Sequence, residues 1–185
     1  MMITIPKKTV LLGYLFIVIL YLLVTSTHLI GAELVNIVIR NSADQLLIDI
    51  KLKNVFTEEL KDALLKGIPI DITFSVSLNE VHNFWFDKNM ISSTAIHQVR
   101  FDTLKKEYKI QRSWEARGFI AETDAKTVQR IMSEINGLNV IPLKRLTKGS
   151  QYELRIKSEL KDRSYPFAGT PWEFETDWYT INFIY

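Results

Sequence analysis

The chain has 185 residues with no cysteine, three histidines, 23 basic and 21 acidic residues. The missing cysteines exclude disulfides, thiolate metal sites, thiol nucleophiles and iron–sulfur clusters. Lys7 and Lys8 carry the whole net charge of +2, so residues 33–185 are balanced at 21 against 21 and show no sign of the clustered basic surface of a nucleic-acid binder.

Residues 1–32 differ from the rest. Lys7 and Lys8 precede an uncharged apolar run, Val10 to Val24 with Phe16 near its middle, and no acidic residue appears before Glu33. A basic start, an apolar middle and a polar end make the layout of a secretory leader. The lysines resist translocation, which places the following chain on the far side of a membrane. As a helix the run Val10–Val24 rises about 22 Å against a bilayer core of about 30 Å, and Thr9 to Gly31 reaches the required length. Ala32 suits a signal peptidase and Ile30, two positions earlier, does not. The segment is therefore read either as an uncleaved membrane anchor or as a cleaved signal peptide.

Residues 33–185 are long enough for one domain with one core. Period-two alternation predicts strands at Ile48–Lys53, Ile70–Asn79 and Tyr152–Lys157, with weaker ones at Leu34–Arg40, Asn83–Asp87, Ile96–Asp102, Glu107–Arg117, Leu138–Leu143 and Phe174–Tyr185. One helix is expected from about Glu58 to Lys66, capped by Thr57, burying Leu60, Ala63 and Leu64 and ended by Gly67 and Pro69. A second is expected from about Asp124 to Asn136, with Val128, Ile131, Met132 and Ile135 inward and Gly137 closing it. Asn41–Asp44 and Lys148–Ser150 read as turns, and Lys161–Trp172, with two prolines and a glycine, as an exposed loop. The expected fold is α+β: about eight mainly antiparallel strands, as a sandwich or a strongly curved sheet, with two short helices packed on it.

Chemistry is sparse. His82 and His97 would approach one another if their strands paired, and with Glu80 or Asp87 would offer zinc ligands, but no close ligand pair sits on one helix. There is no G-x-S-x-G, and Ser92 and Ser93 read as part of a turn rather than a nucleophile elbow. No glycine-rich phosphate loop occurs. Paired carboxylates are spaced in three dimensions, so nothing singles out a pair among the 21 acidic residues. Aromatic residues say more. Phe84, Trp85 and Phe86 are consecutive, and the C-terminal part is crowded with aromatics. These read as core and loop packing, or as an exposed patch for a partner, a glycan or the membrane surface, with Tyr165, Phe167 and Trp172 as the candidate partner-binding residues. A membrane barrel is disfavoured by the two helices and by strands bearing Asp49, Lys51, Arg155 and Lys157.

Several runs together resemble a bacterial family, domain of unknown function 4390. They are Leu60 to Pro69 with its A-L-x-x-G-I-P helix exit, Trp85-Phe86-Asp87, Val99 to Tyr108, Tyr152 to Ile156 and Trp178. The similarity covers about residues 33–185; the leucine–proline-rich stretch of the family is matched only in part by Leu160 to Pro166. The resemblance implies an exported single domain and carries no catalytic residue.

The resulting expectation is a non-catalytic envelope protein without a cofactor, held in a bacterial inner membrane with its domain in the periplasm, or free in the periplasm if the leader is cleaved. It is expected to bind an envelope protein partner and no nucleic acid. The alternatives are a carrier of a lipid or other hydrophobic ligand, and a hydrolase using His82 or His97.

Overall fold

Ile70, Ile72, Phe74, Val76 and Leu78 alternate with polar residues, and in the computed structural model all five are buried along one strand. The structure describes residues 31–82, 85–116, 118–161 and 170–185. The elements in chain order are β1 (Glu33–Ser42), β2 (Gln45–Lys53), α1 (Glu58–Leu65), β3 (Ile70–Glu80), β4 (Lys88–Asp102), β5 (Glu107–Arg112), β6 (Ile120–Glu122), α2 (Ala125–Ser133), β7 (Glu134–Pro142), a 3-10 turn (Leu143–Arg145), β8 (Gln151–Leu160), β9 (Phe174–Glu175) and β10 (Tyr179–Ile184). Every strand pairing is antiparallel. One sheet has the order β1-β2-β7; the larger runs β10-β8-β3-β4-β5-β6, with β9 also on β8. The inward residues of both sheets and of both helices belong to one hydrophobic core. The fold is thus α+β and mainly antiparallel, with ten strands among the described residues where about eight were expected.

The first helix follows its sequence signals. Thr57 Oγ1 accepts the Leu60 N–H, and Leu60, Ala63 and Leu64 are buried. At the exit Ile68 N–H bonds the Ala63 carbonyl at 3.2 Å and Gly67 N–H bonds the Leu64 carbonyl at 2.8 Å. This pair of bonds with a left-handed residue between them is the Schellman arrangement, and Gly67 supplies it with a φ of +84°.

The second helix is shorter than expected. Asp124 caps it through Thr127 N–H at 2.8 Å, but Glu134 is already extended. Pairing with β2 outweighs the last helical turn, for it places Ile135 opposite Ile50 in the core and Glu134 opposite Lys51, 2.7 Å from its ammonium. Gly137 therefore does not close the helix. It lies inside β7 with a φ of +78°, and its N–H donates to Asp49 Oδ1 at 2.7 Å, beside a shift in the β2–β7 register.

Three further expectations change. Ser92 and Ser93 lie within β4, opposite Ser77 and Val76, because β3 continues to Glu80 and offers β4 a partner over that length. The stretch Glu107–Arg117 is strand only to Arg112; Ser113 and Trp114 turn, and the three-residue β6 follows. Trp85 to Asp87 form no strand but part of the connection from β3 to β4. Among the described residues no helix is long and apolar enough to cross a membrane. Val10, Phe16 and Val24 lie outside the described residues, as do Phe84, Tyr165 and Phe167.

Candidate interaction surfaces

The alternation Ala95, His97, Val99, Phe101 turns His97 into the core, where it has no exposed surface. Its ring lies 5.2 Å from that of Phe74 and 4.6 Å from that of Trp114, centroid to centroid. Nδ1 is 2.8 Å from the Met132 carbonyl oxygen. A carbonyl only accepts, so Nδ1 carries the proton and Nε2 does not. Met132 belongs to the last turn of α2, whose carbonyls lack partners within the helix, and the imidazole satisfies one of them. Burial pushes the pKa down to about 4; the Met132 carbonyl works against that shift, and the Arg112 charge adds to it. His97 is accordingly neutral at neutral pH, and Nε2 has no hydrogen-bond partner.

The two histidines do not meet, although their strands pair. His97 stands opposite Ile72, while His82 follows the end of β3 about ten residues further on, or about 30 Å of extended chain. The Asp87 carboxylate accepts the His82 backbone N–H at 3.2 Å and so shapes the β3–β4 connection. Among the described residues no three potential metal ligands gather. An enclosed, neutral imidazole and a distant exposed one give the hydrolase reading no geometry to stand on.

A small space lies between the helices. Phe56, Leu64, Tyr108 and Val128 line an apolar hollow of about 110 Å³ there. That is well below the roughly 300–1,000 Å³ of small-molecule sites.

The surface features sort to two ends of the molecule. β1 begins at Glu33 opposite Lys53, and β2 leads through Asn54–Thr57 into α1. The exit of α1, Lys66 and Gly67, borders the turn between β4 and β5, with which it lines a hollow of about 380 Å³. This first end therefore holds the exit of α1 and the Thr103–Lys106 turn, whereas the start of β1 lines a hollow with Thr176–Tyr179 at the β10 edge of the large sheet. The far end holds the β3–β4 connection, and the β1–β2 hairpin reaches it too: Leu143 N–H bonds the Asp44 carbonyl, and Arg145 bonds the Met90 carbonyl. Between the ends runs β4, whose fifteen residues span about 50 Å.

Each end shows apolar side chains in water. At the far end Trp85 is 83% and Phe86 98% exposed. At the first end Leu104 is 93% exposed. Its turn is tightly held: Asp102 Oδ1 accepts the N–H groups of Leu104 and Lys105 at 3.1 and 3.0 Å, and the Lys106 N–H bonds the Asp102 carbonyl at 2.8 Å. The Lys105 N–H and the Lys109 ammonium, 2.9 Å away, hold the Asp102 carboxyl down to about 2, so it stays charged.

Of the candidate partner-binding residues Tyr165, Phe167 and Trp172, the third is described. Trp172 is half-buried and packs against the core with Phe174, Phe183 and Tyr185. Trp178 stands over the outer face of the large sheet, 4.9 Å from Arg155 and 5.8 Å from Lys157. Sequence reading had Phe84–Phe86 among its aromatics but placed them in a strand; it had no signal for Leu104, a single leucine in a polar run.

No curated protein and no solved structure gives a significant match to this chain. Residues 31–182 match a family described as Domain of unknown function (DUF4390), a span that takes in both sheets, both helices and both exposed ends. The chain belongs to that family.

Proposed function

We propose that this is a non-catalytic cell-envelope protein, tethered to the inner membrane through residues 1–32, whose periplasmic domain binds a protein partner at the β3–β4 tip. One observation carries the reading: Trp85 and Phe86 stand 83% and 98% exposed, side by side, on a connection braced by the Asp87–His82 hydrogen bond. Large aromatics held in water cost solvation without adding to the core, whereas burial of such side chains dominates binding at protein interfaces. The buried His97 supports a binding role over a hydrolase that would use it.

The test is photocrosslinking in intact cells with a full-length chain carrying the photoreactive residue at position 86. A reproducible protein adduct at 86, absent when the same residue stands at the exposed position 111, is the expected result. Equal capture at both positions, or at neither, overturns the partner-binding tip.

A further inference from the structure

Two enclosed polar atoms face each other across the β4–β5 pair, and neither has a partner. β5 turns Tyr108, Ile110 and Arg112 to the inner side, and its pairing with β4 sets Arg112 directly opposite His97. Residues so opposed share one face of a sheet, with Cβ atoms about 5 Å apart. His97 has no exposed surface, and its Nε2 makes no hydrogen bond. Arg112 Nε is likewise enclosed and unpartnered, although the same guanidinium reaches outward through Nη2 to Glu115 Oε1 at 2.5 Å. Trp114 covers both residues: the centre of its ring lies 4.6 Å from that of the imidazole and 5.9 Å from Arg112 Cζ. Phe74 stands against the imidazole as well, at 5.2 Å.

The two atoms are complementary. The Met132 carbonyl fixes the imidazole proton on Nδ1, so Nε2 presents a lone pair, whereas Arg112 Nε–H only donates. They nevertheless make no bond to each other. A buried polar group left without a bond destabilises the fold, and such groups are commonly answered by internal water. The occupant that answers both must accept from Arg112 and donate to His97. A halide would only accept and would meet the imidazole lone pair. An ammonium ion would only donate and would meet the guanidinium. A water molecule does both, and it is the smallest molecule that can do so between rings this close.

We propose that one internal water bridges Arg112 Nε and His97 Nε2 beneath the Trp114 ring. It completes a series of hydrogen bonds that all run one way. Arg112 donates to the water, the water to His97 Nε2, and His97 Nδ1–H to the Met132 carbonyl in the last turn of α2. Bonds aligned head to tail polarise and strengthen one another. The Arg112–Glu115 ion pair is thereby linked through β5 and β4 to the end of α2. The site also gives a reason for an arginine in the third inward position of β5. A leucine there would pack against Trp114 but would leave Nε2 unanswered.

A water on Nε2 lies between the two carbon-bound ring protons of His97, Hδ2 and Hε1. The full chain, isotope-labelled at histidine and arginine, is measured by NMR in detergent micelles. Both ring protons are expected to show cross peaks to water with the sign of a long-lived internal molecule, with the exposed His82 as the surface comparison. Absence of such peaks at His97 overturns the water site. A scalar coupling between Arg112 Nε and His97 Nε2 overturns it too, since it reports a direct bond. Arg112→Met keeps an unbranched stem against Trp114 and removes the donor. In that variant the water peaks are expected to weaken and the His97 Nδ1 proton to exchange with solvent about fivefold faster. Unchanged peaks with an unchanged exchange rate overturn Arg112 as the donor to the water. The parent spectrum decides the site whether or not the variant folds.

Discussion

Asp49 Oδ1 receives the Gly137 backbone N–H at 2.7 Å, joining residues 88 apart in sequence, while both carboxylate oxygens take Arg40 at 2.6 Å. Three strands of the small sheet meet at this one side chain. Its pKa is lowered, by the Arg40 guanidinium first. Gly137 sits at a φ of +78°, with Arg40 Nη2 3.7 Å from where a Cβ would stand. Space is available, so Gly137→Ala is expected to cost the left-handed backbone alone, about 1–2 kcal/mol. Asp49→Ala leaves the Gly137 N–H and the Arg40 guanidinium without their partner and is expected to cost about 1–2 kcal/mol. Because the Asp49 bond holds residue 137 in its left-handed place, loss of that bond lets the strain of Gly137→Ala relax, and the double variant should cost less than the sum. Urea unfolding of the three variants measures this, and strict additivity would show that the contacts act independently.

The His97–Met132 bond leads to a dependence on pH. The folded chain resists protonation of His97 until about pH 4, whereas the unfolded chain takes the proton near the ordinary 6.5. Between those values the unfolded state holds more protons, so stability falls as pH falls from about 6.5 to about 4 and this contribution then levels off. A shift of that size corresponds to about 3 kcal/mol. His97→Phe removes the titration and orphans the Met132 carbonyl. It is expected to be less stable than the parent at pH 7, by about 1–3 kcal/mol. Its unfolding free energy should then change far less between pH 7 and pH 4 than the parent's. Equal pH slopes for the two chains would show that His97 is not the group responsible. Asp102 acts in a separate window: its carboxyl is lowered to about 2, so its contribution is present above the unfolded value of 3.8 and is lost as pH falls through about 2.

Gly67 offers a test of a different kind, since its role was visible in the sequence. With a φ of +84° and the nearest neighbours of a hypothetical Cβ at 3.7 Å, Gly67→Ala is expected to cost about 1–2 kcal/mol through backbone strain. Gly67→Asn should cost less, because asparagine tolerates the left-handed region better. Chemical denaturation of the two variants provides the ranking, and an alanine variant as stable as the parent would remove the strain argument.

What could be read from sequence was what neighbours in sequence decide. The Thr57 cap, the stripe Leu60–Ala63–Leu64 and the Gly67 exit depend on a few adjacent residues and stand as expected. β3 was equally legible, because a sheet face imposes its period on each residue. Gly137 was misread since a glycine after a helical pattern gives the same local signal whether it ends a helix or lies in a strand. What decides is Asp49, far away in sequence. The turn read at Ser92 and Ser93 failed in the same way, because β3 holds them extended from across the sheet. The burial of His97 was available in the alternation Ala95, Val99, Phe101, whose inward set includes it. The exposed ends were not available: alternation says which side chains share a face, but a turn residue such as Leu104 has no face until the flanking strands are placed.

Trp85 and Phe86 separate stability from binding. Their side chains lie in water, so replacing both by serine should change the unfolding free energy of the full chain by no more than about 0.5 kcal/mol. Trp172 provides the contrast. It packs against the core, and Trp172→Ser is expected to be clearly destabilising in the same urea titration. In cells, the Trp85→Ser, Phe86→Ser chain should accumulate as the parent does yet lose the adduct formed from a photoreactive residue at the neighbouring exposed position 88. If that adduct persists at parental yield, the two aromatics are not the binding surface. If instead the serine chain unfolds as readily as the Trp172 variant, the exposed pair supports the fold and is not held out for a partner.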